Sequence, residues 1–172
     1  FLFGIIIIVF LQVISGYNIK RLIQGNKTLL NELIVQKDLR QLETNILIVE
    51  SDIRGAIITG NEIHLRNVEE YSRIIDNDLA DMSKRLGTSD SDLQVPLLTS
   101  LVEAKKDFNQ SILNEYFSNN KAGADSLINT NRGKEIRDSV INLVSLIESS
   151  RQEGLRRIVS SIEETGRNAR LW

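Results

Sequence analysis

Between Val35 and Ile57, apolar residues return every three or four positions, at Val35, Leu39, Leu42, Ile46, Val49, Ile53 and Ile57. A helix gathers all seven on one face, whereas a strand would scatter them over two, so this stretch is helical. The row begins earlier, with Ile19, Leu22, Leu29 and Leu33, and changes phase between Leu33 and Val35, as expected of a helix passing from one set of neighbours to another. Thr59-Gly60-Asn61 should end it, Gly60 as the residue after the C-cap and Asn61 as the next N-cap. Leu65, Val68, Ile75, Leu79, Met82 and Leu86 mark a second helix, closed by Lys84, Arg85 and Gly87 and followed by a loop over 88–92. Pro96 belongs in the first turn of a third helix carrying Leu97, Leu101, Ala104, Phe108, Ile112 and Tyr116, with a break at Ser118-Asn119-Asn120. A fourth helix follows through Leu127, Ile136, Val140, Leu143, Ile147, Leu155, Ile158 and Ile162 to about Ala169. With 5% aromatic residues and one Pro in 172, the composition also favours long helices, and the fold class is all-α.

Phe1 to Ile14 is an uncharged run in which only Gln12 is polar. Crossing a bilayer takes about 20 such residues, so the run reads as a truncated transmembrane helix. A signal peptide is the rival, but no small-residue cleavage site interrupts the periodicity past Tyr17. Tyr17, Lys20 and Arg21 at one end, and Arg167, Arg170 and Trp172 at the other, have the character of interfacial collars. At 1.5 Å per residue the first helix beyond the membrane (18–59) and the fourth (121–169) span roughly 60 and 70 Å, and the middle two roughly 40 Å each.

Short connections make sequential helices antiparallel, so the expected architecture is an up-down-up-down four-helix bundle whose two long outer helices extend as a stalk. The domain organisation is then a truncated membrane helix over 1–16, a stalk over 17–33, the bundle over 34–146, and a stalk over 147–172 leading to a second membrane helix. Two stalk helices cannot bury an apolar stripe alone, which implies a parallel homodimer through Leu22, Asn26, Leu29, Leu33, Ile158 and Ile162, with Asn26 either buried and setting register or exposed on a frayed stretch.

Catalytic chemistry is hard to assemble from this inventory. His64 is the single His and there is no Cys, which excludes disulfides and Cys/His zinc sites. Gly133-Lys134 fails as a phosphate loop, because Ile128 stands where a Gly is needed and Glu135 replaces the Ser or Thr. Glu69/Glu70 and Glu163/Glu164 are helix neighbours that do not face each other. With 21 basic and 23 acidic residues and no dense basic run, a nucleic-acid partner is not expected. The expectation is a non-enzyme without metal or cofactor, whose partners are itself, membrane lipid, and a ligand or protein that the residues do not identify.

The stretch from Glu50 to Leu65, ESDIRGAIITGNEIHL, resembles the signature of the third class of CHASE extracellular sensory domains, approximately E-T-x-x-R-G-[YF]-L-L-T-G-[DN]-E-x-[YF]-L. Arg54, Gly55, Thr59, Gly60, Asn61, Glu62 and Leu65 match, while Ala56 and His64 replace aromatics. Gly133-Lys134 with Asp138 and Val140 is similar to the family's G-K-x-x-x-D-x-[IV] stretch, and the likeness extends over about 40–160. The resemblance implies the extracytoplasmic, membrane-distal bundle of a bacterial inner-membrane receptor, most often a sensor histidine kinase. The alternative is a membrane-tethered helical scaffold that does not switch.

Arg54 is expected to be structural, paired with Glu50 one turn away or with Asp125 at the same level on the fourth helix; the functional alternative is an Arg awaiting an anionic ligand. No second cation lies near it in sequence to complete an anion site.

Overall fold

The computed structural model describes residues 2–86 and 94–170, and these are helical almost throughout, with no strand among them. The order is α1 (Leu2–Thr59), a 3-10 turn (Glu62–Leu65), α2 (Val68–Leu86), α3 (Gln94–Phe117), α4 (Lys121–Ile128) and α5 (Asn131–Arg170). The loop expected over 88–92, Gly87 and Trp172 lie outside the described residues. The chain divides into two compact units, one of 35–148 and one of 1–34 with 149–172.

In the unit of 35–148, α1 contributes the row Val35, Leu39, Leu42, Ile46, Val49, Ile53 and Ile57, every member at most 4% exposed. Ile75, Leu79 and Met82 of α2, Leu98 and Val102 of α3, and Val140, Val144 and Ile147 of α5 complete the same core. Arg40 meets Glu148 at 3.0 Å and Glu50 meets Arg137 at 3.2 Å, so α1 and α5 are antiparallel here. The buried row of α3 is Val95, Leu98, Val102, Lys105, Asn109 and Ile112; of the expected row Ile112 is buried and Leu101, Phe108 and Tyr116 pack partly buried against the core, whereas Leu97 is 53% exposed and Ala104 is exposed. The inward face of α3 is thus turned toward Lys105 and Asn109, with Leu97 and Ala104 on its outer side.

Three junctions explain the helix boundaries. At the end of α1, Gly60 takes φ +70°, a conformation that suits a residue without Cβ, and its N–H donates to Ala56 O at 2.8 Å. Asn61 Oδ1 accepts from Ile63 N at 3.1 Å, so Asn61 caps a 3-10 turn, and α2 begins only at Val68. The i, i+3 periodicity of that turn helps Leu65 and Val68 pack against one core. The expected fourth helix is in fact two, so five α-helices are present among the described residues. Thr130 Oγ1 donates to Leu127 O at 2.7 Å and Asn129 N donates to Asp125 O at 3.1 Å. These bonds occupy the last carbonyls of α4, and a new helix starts at Asn131. Between α3 and α4, Asn119 sits at φ +58° and Asn120 Oδ1 accepts from Gly123 N at 3.0 Å.

In the other unit, Arg151 of α5 clasps Glu32 of α1 with two bonds of 2.8 Å. Gly25 lies under Ile162, close enough that an added Cβ would stand 2.8 Å from its Cγ1. The most apolar 18-residue window of α1 has a mean hydropathy of 1.7 and none of it is buried, so α1 is long and apolar enough to cross a membrane.

Candidate functional site

The densest polar cluster in the unit of 35–148 is centred on Glu50 of α1, whose side chain is 14% exposed. Its carboxylate meets Lys105 Nζ of α3 at 2.9 Å, Arg137 Nη1 of α5 at 3.2 Å and Arg54 Nη2 at 3.5 Å. One carboxylate thus serves three cations drawn from three helices. Lys105 is 2% exposed, donates also to Gly133 O at 3.2 Å, and lies 5.7 Å from the Phe108 ring centre. Burial pulls the Lys105 ammonium below the usual lysine range; Glu50 opposes that, and Arg137 and Arg54 add to it. Asp138 shares Arg137, accepting from its Nε and Nη2 at 3.2 Å.

Gly133 is what lets α3 and α5 come this close. A Cβ there would lie 2.5 Å from Phe108 Cε1, so any side chain would push the ring away.

A cavity of about 280 Å³ opens against this cluster, with Arg54, Lys105, Lys134 and Arg137 in its wall and Glu50 as its one carboxylate. The aliphatic side chains of Ile53, Ile112 and Ile128 line the rest, with Phe108 and the start of α5. Asn109 is 7% exposed and borders the cavity. A second, more apolar cavity of about 490 Å³ lies on the far side of Lys105 and Asn109, against Val49, Leu65, Val68, Val102 and Leu113.

The residues singled out in the sequence fall into three groups. Arg54, Glu50, Gly133, Lys134 and Asp138 gather at or beside the cavity. Of the two partners considered for Arg54, Glu50 takes it and Asp125 forms no ion pair with it; Arg54 is 50% exposed. Gly55, Thr59, Gly60, Asn61, Glu62 and Leu65 build the turn after α1. There Thr59 Oγ1 donates to Gly55 O at 2.6 Å, and the His64 ring packs 3.4 Å from where a Gly55 Cβ would be. Glu62 is exposed and Leu65 half-buried.

The third group lies in the unit of 1–34 and 149–172, where the expected seam is split. Leu22, Leu29, Ile158 and Ile162 are half-buried within the single chain, whereas Asn26 is exposed and Leu33 is 50% exposed. The uncovered row on α1 is Ile19, Ile23, Asn26, Leu30 and Leu33, because α5 covers the side marked by Gly25 and Glu32.

Lys105, Asn109 and Arg137 were not singled out as site residues in the sequence. The signal for the first two was their phase: they continue the apolar steps of Leu98 and Val102, so two polar side chains had to be buried there. Comparison with protein-family models, curated proteins and solved structures found no match.

Proposed function

We propose that this chain is the extracytoplasmic sensory and signal-coupling part of a bacterial inner-membrane receptor, with a sensor histidine kinase as the output it would feed. The observation that carries the reading is the continuity of α1. One helix holds both the apolar segment suited to a membrane and Glu50, on which α3 and α5 converge through Lys105 and Arg137. A stimulus that altered that convergence would act directly on the helix that enters the membrane, and only by its different affinity for the two packings. In this reading the bundle over 34–146 has an up-down-up-down course, α4 and α5 together forming its fourth arm. The segments 17–33 and 147–172 form its stalk. A parallel homodimer pairs the stalks, with the apolar row of Ile19, Ile23, Leu30 and Leu33 as the surface needing cover.

The test uses the absence of native Cys. A single Cys at the exposed Glu103 should react with a membrane-impermeant maleimide in intact cells, and the gene should continue past the Trp172 codon into a second apolar span and a phospho-acceptor helix. Labelling only after lysis, or a stop codon directly after Trp172, would overturn the receptor reading and leave a tethered scaffold.

A further inference from the structure

We infer that the 280 Å³ cavity beside Glu50 is a binding site for a small organic di- or tricarboxylate. The inference rests on the sensory reading only in treating that ligand as the stimulus. Four cationic side chains face one carboxylate in the cavity wall, and Glu50 already divides itself among three of them. A charge surplus at a partly desolvated site is costly, and a multiply charged anion offsets it.

The donors left over point the same way. Arg54 spends a single 3.5 Å contact on Glu50, and Lys134 has no ion-pair or hydrogen-bond partner among the described residues. Asn109, 7% exposed, borders the cavity and carries a carboxamide able to donate to a ligand oxygen.

Size and lining narrow the class. About 280 Å³ sits at the small end of ligand cavities, roughly 300–1,000 Å³. Ile53, Ile112 and Ile128 interleave with the cations, so a short carbon chain between carboxylates meets both kinds of wall, as a bare inorganic anion does not.

The test is calorimetric titration and thermal melting of the full chain in detergent micelles with succinate, citrate and inorganic phosphate at constant ionic strength. Succinate or citrate should bind one per chain and raise the melting temperature progressively. Arg54→Ala and Lys134→Ala, at exposed side chains, should each weaken that binding about tenfold or more while the ligand-free melt stays near the parent's. No binding of either carboxylate, binding of phosphate alone, or unchanged affinity in both variants would overturn the inference. Maleimide labelling at Glu103 is read independently, so failure of the ligand and failure of the receptor reading are told apart.

Discussion

Lys105 Nζ lies 2.9 Å from Glu50 Oε2, joining α3 to α1 through an ammonium that is almost wholly removed from solvent. Glu50 is the single compensating charge for that ammonium and the shared one for Arg137. Glu50→Gln should therefore cost about 3–5 kcal/mol by denaturant unfolding, because it strands the buried Lys105 ammonium. Adding Lys105→Met should recover part of the loss, since an unpaired charge is then replaced by an apolar side chain of similar length. If the double variant were less stable than Glu50→Gln by the full cost of a second core mutation, the ammonium would not be the source of the penalty.

Asp78 of α2 carries a buried Oδ2 with no hydrogen-bond partner. Burial first, and then the neighbouring Asp38 and Asp81, push its carboxyl above the ordinary aspartate value, while Lys37 pulls the other way. Because the folded state holds this proton more tightly than the unfolded chain, stability is lost as pH rises from about 4 through the raised folded value. Asp78→Asn should accordingly melt higher than the parent at neutral pH, and the advantage should shrink as the pH falls below that window. A gain independent of pH would show that charge is not its cause.

Gly133→Ala places a methyl group against the Phe108 ring. The ring must move, at a cost of about 1–3 kcal/mol for overpacking. Phe108→Leu in the same chain should return part of the stability. Equal melting of parent and Gly133→Ala would contradict the close approach of α3 and α5.

The row Ile19, Ile23, Asn26, Leu30 and Leu33 advances by four and three residues alternately, the step of a coiled-coil seam, and all of it is uncovered in one chain. In membranes, Leu30→Cys and Ile23→Cys should crosslink to the same residue of a second copy. Thr28→Cys, on the opposite side of α1, should crosslink several-fold less. The reverse order would place the dimer seam elsewhere, and no crosslinking at any of the three would remove it from this helix.

Much of the fold was written locally. The three-and-four spacing from Val35 to Ile57 specified α1 and its buried face, and Gly60-Asn61 specified where α1 stops, because a helix period and a positive φ depend on residues within a turn or two. Other features depended on neighbours distant in sequence. Which row of α3 faces inward was settled by α1, α2 and α5 packing against it, and that rotation buried Lys105 and Asn109 instead of Ala104. The second cation that Arg54 lacks in its own helix arrives from α3 and α5, over connections whose course no local preference encodes. The sequence alone determined the all-helical class, the end of α1 and its apolar stripe, since these rest on short-range sterics and periodicity; only the tertiary structure decided that Lys105, Arg137 and Arg54 share Glu50, because a charge cluster is made by packing.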